Sequence, residues 1–406
     1  MKSVVRGLTS HRRVGFALGV YALTRLFVVV VVVIAGRNQI AIPASLSSYH
    51  ASVPTGAAPG YWTIMTNWDG QWYRTIATQG YPVDLPLNAT GQVVQNVWGF
   101  YPLYPLLVGG LIRVTGLSFA FVGPAVSVSL GAVAVVVMFR LVEDALGTTP
   151  ARMATVLTCT FMSAPVLQTT YTESLAFLLL CSSLLLLRRR RYAWTALVIV
   201  LLALTRNVVL AMAPVILLHG AVRYRARAED EFTTHDRLTL GGLVALCVAT
   251  AWLWPAIAAA VTGQVFAYTQ TMAAWGGGLR VLIAWPRTFL NMAGTTGLVV
   301  FLVMLFCIFG LLTRPAARRW GPELWGWAVA YVCYLLLATD AGFSSPRHLL
   351  LAFPLSLLAV DFLRSMGSRV LRMCLLGLIV CGGLALQWIW IANFFVVTVP
   401  AHQAFP

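Results

Sequence analysis

The chain has 406 residues, of which 59% are hydrophobic and only 10% charged, and its mean hydropathy is +0.82. A soluble domain carries about a quarter of its residues as charges, so lipid, not water, is the implied solvent. The net charge of +16 does not point to nucleic acid, because the arginines sit in short clusters between apolar runs, as membrane loops require.

In chain order the pattern predicts eleven membrane segments, at 14–35, 118–141, 151–169, 172–187, 192–205, 207–221, 237–262, 294–313, 323–339, 347–364 and 371–396. The first follows a basic start (Lys2, Arg6, Arg12, Arg13) and has no clear cleavage motif, which predicts a retained span. The pair 192–221 is short for two crossings of about 20 residues each. It is read as a hairpin turning at Thr205-Arg206-Asn207, since one continuous helix would leave Arg206 in lipid at a cost of at least about 2.5–3.5 kcal/mol. The seven cysteines (159, 181, 247, 307, 333, 374, 381) all fall in apolar segments and read as small core residues, with no disulfide framework.

Charge sets the expected orientation. With the N-terminus cytoplasmic, the clusters Arg188 to Arg191, Arg223 to Arg237, Arg314 to Arg319 and Arg364 to Arg372 all lie inside. The apolar segment Tyr101 to Gly116 would break this agreement as a span, so it is expected to be an interfacial or re-entrant helix opened by Pro102 and Pro105. The extracytoplasmic stretches are then a first loop 36–117, turns at 168–172 and 205–207, a second loop 263–293, and a turn at 340–346. The chain is otherwise one polytopic membrane domain, 1–406. Loops beyond about 15 residues usually carry function or are disordered, and the Trp- and Tyr-rich first loop is expected to be ordered at the headgroup layer.

On this topology only Asp69, Asp84, Glu173 and Asp340 of the 12 acidic residues face outward. Asp69 lies in Asn67-Trp68-Asp69-Gly70-Gln71-Trp72-Tyr73, where Trp68, Trp72 and Ile76 recur at helical spacing. Thr66 or Asn67 is the expected cap, with Asp69 in the first turn, where the helix dipole favours a carboxylate. A carboxylate at the lipid–water boundary suits proton removal from an acceptor hydroxyl; an N-terminal helix Asp with no chemistry is the competing reading. Glu173 is either a plain helix-start residue or a partner of Asp69, of an arginine or of a sugar hydroxyl. Arg206, Arg347 and Arg280 sit on the side that the charge bias disfavours, Arg347 being followed by His348. They either snorkel to lipid phosphate or hold a donor phosphate as charge develops on it. No metal-ligand spacing, P-loop or dinucleotide fingerprint occurs, and no obligatory metal is expected.

These motifs resemble a known family. Trp68-Asp69-Gly70-Gln71-Trp72-Tyr73, with Ile76-Ala77 and Gly80-Tyr81, is similar to the first-loop signature of PIG-V type mannosyltransferases. Phe100-Tyr101-Pro102-Leu103-Tyr104-Pro105, Ser163-Ala164-Pro165 with Tyr171-Thr172-Glu173-Ser174, Thr205-Arg206-Asn207 and Arg347 follow in the family's order, over about residues 60–360. The Ala-Pro order at 164–165 is swapped relative to the family. The resemblance implies an all-α integral membrane protein of the GT-C class. It also implies an inverting transfer of mannose from a polyprenyl-phosphate donor to a lipid or glycan acceptor at the extracytoplasmic face. By the same resemblance Asp69 is the general base, and Glu173, Arg206 and Arg347 are site residues. His348, Tyr73, Trp68 and Arg280 complete the candidates for holding substrate or donor phosphate. Two other classes remain open on sequence: a flippase or transporter of lipid-linked sugars, and a noncatalytic scaffold that binds headgroups.

Overall fold

The computed structural model describes residues 2–43, 49–276, 283–339, 341–342 and 344–398, with side chains from residue 11. The α-helices, in order, are α1 (Lys2–Ala35), α2 (Tyr61–Ile64), α3 (Asp69–Gln79), α4 (Leu103–Thr115), α5 (Phe119–Leu146) and α6 (Thr148–Cys159). Then come α7 (Glu173–Arg188), α8 (Tyr192–Ala203), α9 (Met212–Arg225), α10 (Thr234–Ala251), α11 (Leu253–Thr262) and α12 (Ala267–Ala274). The last are α13 (Ala284–Leu312), α14 (Pro315–Arg318), α15 (Gly321–Ala338), α16 (Ser345–Leu349), α17 (Ser356–Ser365) and α18 (Arg369–Trp390). Among the described residues there is no β-strand, only two isolated bridges, Ile42 with Thr55 and Leu87 with Val93. Six helical stretches are long and apolar enough to cross a bilayer: His11–Asn38, Phe119–Leu146, Thr234–Thr262, Ala284–Leu312, Ser345–Ser365 and Arg369–Phe395. Large apolar side chains on them, such as Leu23, Phe306 and Leu378, point outward, as lipid-facing surface does. The protein is a multi-pass, all-α membrane protein.

The chain divides into two compact units, one of residues 1–71, 111–185 and 349–406, the other of 72–110 and 186–348. In the first unit, α1 packs on α5 and α6. Arg13 reaches Glu143 at 3.1 Å, Arg140 reaches the same carboxylate at 2.9 Å, and Arg152 lies over Phe16, which gathers the basic ends of these helices. At the other end of α1, Gln39 meets Asn67 and the backbone of residue 40 pairs with Val397. In the second unit α8, α9, α10 and α15 pack as neighbours. An aromatic cluster fills its loops: Trp98 and Trp254 lie 5.2 Å apart, with Tyr81 against both.

Several segments depart from the sequence expectation, each for a local reason. The segment 151–169 is helical only to Cys159; beyond it the chain runs through turns and a short 3-10 stretch, Ala164–Gln168, with Pro165 near its start. Helical carbonyls lost there are answered by side chains of other helices: Arg25 donates to Ala164 O, and Gln387 Nε2 donates to Cys159 O and Phe161 O at 3.1 and 2.9 Å. Tyr21 OH donates to Val128 O and Leu167 O. The segment 347–364 is likewise broken, with 3-10 geometry over Leu350–Leu355 around Pro354. The helix expected from 294 starts ten residues earlier at Ala284 and kinks at Ala293–Gly294, where Gly294 supplies φ 60. The hairpin at 192–221 is present, turning through 204–211, with α9 running on to Arg225. The segment 101–116 is a single 13-residue helix, α4.

Candidate functional site

Asp69 opens α3 and is half-buried. The residue before it, Trp68, holds a left-handed backbone with φ 59, a conformation that costs a bulky residue roughly 1–2 kcal/mol. Its surroundings leave it no alternative. The Trp68 amide donates to Tyr49 OH at 2.9 Å, its indole Nε1 donates to Phe395 O at 2.8 Å, and the ring lies 5.0 Å from that of Tyr49. Neither expected cap is used. Asn67 turns its amide to Gln39 Oε1 at 2.8 Å and Phe395 O at 3.2 Å, and the Thr66 hydroxyl donates to Thr63 O. Gln71 closes the turn from the helix side, donating to Thr66 O at 2.9 Å and accepting from Ser52 Oγ at 2.7 Å. Burial, with the Asp69 charge beside it, pushes the Tyr49 phenol well above its usual range, so it stays protonated. Asp69 thus stands at a helix N-terminus on a turn fixed from three other segments of chain. Tyr49, Gln39, Ser52 and the Phe395 carbonyl come from distant sequence positions, and nothing in the local pattern could have found them.

Glu173 begins α7 and is 1% exposed. The stretch that delivers it is tied to the Asp69 turn: Thr170 N donates to Met65 O at 2.9 Å, and a Cβ on Gly70 would lie 3.6 Å from Thr170 Cβ. The backing is equally tight, since a Cβ on Gly123 would come within 2.5 Å of Thr170. Two buried oxygens here, Gln168 Oε1 and Thr170 Oγ1, have no hydrogen-bond partner among the described residues. Asp69, Trp68 and Glu173 therefore belong to one braced region of the first unit.

The other candidates lie in the second unit. Arg206, Arg347 and His348 come together there: both guanidinium charges act on the His348 ring. Arg206 also acts on Tyr101 and Tyr334. Tyr334 OH donates to Asn207 O, Tyr331 OH donates to His348 O at 3.0 Å, and the hydroxyls of Tyr101 and Tyr268 are 3.1 Å apart. Burial first, then Tyr268, raises the Tyr101 phenol far above its ordinary value. His348 Nδ1 is buried with no hydrogen-bond partner among the described residues. Tyr73 packs edge-on to Phe100 and Tyr104 at 5.2 and 5.6 Å. Sequence reasoning missed Tyr268 and Tyr334; Tyr101 was visible in the aromatic-proline motif. Arg280 lies outside the described residues, as do Asp340, Gly277 and Gly278. Among the described residues no group of three or more His, Cys, Asp or Glu side chains is placed to hold a metal ion.

The all-helical chain shares a fold with solved structures. It is similar to the crystal structure of ArnT from Cupriavidus metallidurans bound to undecaprenyl phosphate, with a TM-score of 0.53 and 12% identity over 88% of this chain. A second likeness is to the archaeal oligosaccharyltransferase AglB from Archaeoglobus fulgidus, in complex with an inhibitory peptide and a dolichol-phosphate, at TM-score 0.46 and 14% identity over 96% of this chain. The chain spans 62% and 56% of those two proteins. At such identities the likeness is one of fold. No protein-family model matches the sequence, and no curated protein is significantly similar to it.

Proposed function

We propose that the protein is an inverting glycosyltransferase that moves a sugar, mannose by the family resemblance, from a polyprenyl-phosphate donor to a lipid or glycan acceptor. The observation that carries this reading is the Asp69 turn. A half-buried carboxylate follows a tryptophan held in a strained conformation by hydrogen bonds from distant segments. Strain of this kind persists where the surroundings over-determine it, and it clusters at functional sites. The GT-C fold supports the same class, and the undecaprenyl phosphate held by ArnT supports the donor.

In this reading the acceptor oxygen attacks the anomeric carbon as the bond from that carbon to the phosphate oxygen breaks. The polyprenyl phosphate leaves with the bonding electrons, and the acceptor proton passes to the Asp69 carboxylate. Arg206 and Arg347 are the candidates for binding a phosphate within the second unit, and Glu173 orders the stretch beside Asp69 in the first. Since the donor brings its own leaving group, the scheme assigns no obligatory metal. The positive-inside rule supports a cytoplasmic side at the arginine-rich helix ends, and with it an extracytoplasmic Asp69. Arg25, buried in a span beside a broken helix, also suits a lipid-sugar flippase.

One assay separates the two. Purified protein is given polyprenyl-phosphate mannose labelled in the sugar, and transfer and donor binding are measured together. Asp69→Asn is expected to lower turnover by at least about 10²-fold and leave donor binding intact. Unchanged turnover in this variant, with labelled sugar still released to acceptor, would remove Asp69 from the chemistry.

A further inference from the structure

The basic end of the second unit holds a pocket of about 260 Å³ that the glycosyl-transfer reading does not use. Its floor is the buried pair His219 and Glu323, 2.6 Å apart, and its walls carry Arg188, Arg190 and Arg223 beside the apolar Val222 and Pro322. The hydrogen bonds run in one direction. Arg223 donates to Tyr192 OH at 2.8 Å, so the phenol donates to His219 Nε2 at 3.2 Å, and the imidazole donates from Nδ1 to Glu323, which also accepts from Arg188 at 3.1 Å. Glu323 thus accepts a hydrogen bond from each side, and the Arg188 guanidinium balances its charge.

Each lining arginine has a carboxylate partner, Arg188 with Glu323, Arg190 with Asp230 and Arg223 with Asp236, and two further features set them apart. Arg190 closes α7 in a left-handed conformation, φ 58, where glycine is the usual choice. Its amide and that of Arg191 bond back to Leu187 O and Leu186 O. Arg223 is 7% exposed; its Nη1 pairs with Asp236 at 3.1 Å and its Nη2 donates to Glu231 O at 2.8 Å, while its Nε–H has no hydrogen-bond acceptor among the described residues, Asp230 being 3.7 Å away. The arginines of 188–191 and 223–227 outnumber the acids of 229–236, so the mouth is cationic. Exposed Leu217 and Val222 on α9 continue the wall along the helix surface.

We propose that this pocket binds a phosphate group, carried either by an anionic phospholipid at the membrane surface or by a free phosphate. A basic pocket at the ends of spanning helices is suited to a headgroup, and guanidinium groups match phosphate in a fork geometry. The site is separate from the Arg206 cluster: α8 rises about 18 Å between Tyr192 and that turn, and Glu323 and Tyr334 stand roughly 16 Å apart on α15. It holds whether or not the chain transfers sugar.

The full chain in neutral detergent is titrated with dihexanoyl phosphatidylglycerol, dihexanoyl phosphatidylcholine and inorganic phosphate, with thermal stability as the readout. Phosphatidylglycerol is expected to raise Tm saturably and phosphatidylcholine not to do so; a comparable rise with inorganic phosphate assigns the site to free phosphate. Arg190→Gly relieves the left-handed backbone and keeps the fold, yet should weaken binding about tenfold, the worth of one charge-assisted bond. Asp230→Asn frees the Arg190 guanidinium and should tighten it. No saturable response to either anion, or equal affinity in wild type and Arg190→Gly, overturns the proposal.

Discussion

Replacing Trp68 by alanine and by glycine gives opposite signs to two terms that usually travel together. Both variants lose the indole, which is 7% exposed, stacks near Tyr49 and donates to Phe395 O. Emptying such a site costs about 3–5 kcal/mol. Phe395 O keeps the Asn67 amide as a donor, so its own loss stays at the low end, about 0.5–1.5 kcal/mol. The two variants differ only in backbone. At an ordinary helical position glycine is worse than alanine by about 0.5–1 kcal/mol, but alanine at φ 59 retains a left-handed penalty of about 1–2 kcal/mol that glycine lacks. Trp68→Gly is therefore expected to be more stable than Trp68→Ala by about 1 kcal/mol. Denaturant titration of both proteins in one detergent, compared at midpoint with equal slopes, measures the difference. Alanine equal to or better than glycine would refute the strained turn, and with it the claim that distant hydrogen bonds force the geometry under Asp69.

Other expectations follow from single contacts. Gly123→Val places a side chain within 2.5 Å of Thr170; it should cost about 1–3 kcal/mol and lower transfer activity by displacing the stretch before Glu173, measured as Tm and turnover together. Glu323→Ala strands His219 and Arg188 in a buried network and should destabilise by about 3–5 kcal/mol, while Glu323→Gln, able to accept from one of them, should cost less in the same melt. Asp230, hydrogen-bonded by Arg190, has its carboxyl held below its ordinary value of 3.8. That contribution is present above the ordinary value and is lost as pH falls through the lowered one. A melting series from pH 6 to pH 3 should show the loss in wild type and a smaller one in Arg190→Gly.

The membrane class was legible from composition, because no soluble packing absorbs so few charges. Asp69 at the start of a short helix was legible as well, since tryptophan and isoleucine at helical spacing mark α3. The support beneath it was not. Tyr49, Gln39 and Phe395 reach the turn from up to 328 residues away, and periodicity carries no information about such pairings. Thr66 and Asn67 look like caps by residue type, but tertiary partners outbid the local role. Arg206 and Arg347 were visible as arginines on the disfavoured side of the charge bias; their meeting at His348 depends on how the turn after α8 packs on α15. The helix breaks failed for a different reason. Hydropathy reports whether a segment tolerates lipid, and 151–169 and 347–364 tolerate it whether or not their backbone is helical.

Those breaks nevertheless leave a trace in a residue out of place in a span. Arg25 sits in the first span, 5% exposed, and among the described residues no carboxylate pairs with it. A cation in that setting needs acceptors, and a regular helix offers weaker ones, because its carbonyls are already engaged by its own ladder. Free carbonyls exist only where a helix stops. Arg25 donates to Ala164 O and to Cys159 O, the last residue of α6 and the stretch just beyond it. An arginine deep in one span and a Ser163-Ala164-Pro165 run in another apolar segment thus imply each other. The cation needs a broken helix, and the broken helix needs a donor that lipid cannot supply. This gives Arg25 a positioning role at the base of the stretch that leads to Glu173, with no call on substrate. Taken together, the two features predict from sequence a discontinuity that neither marks alone.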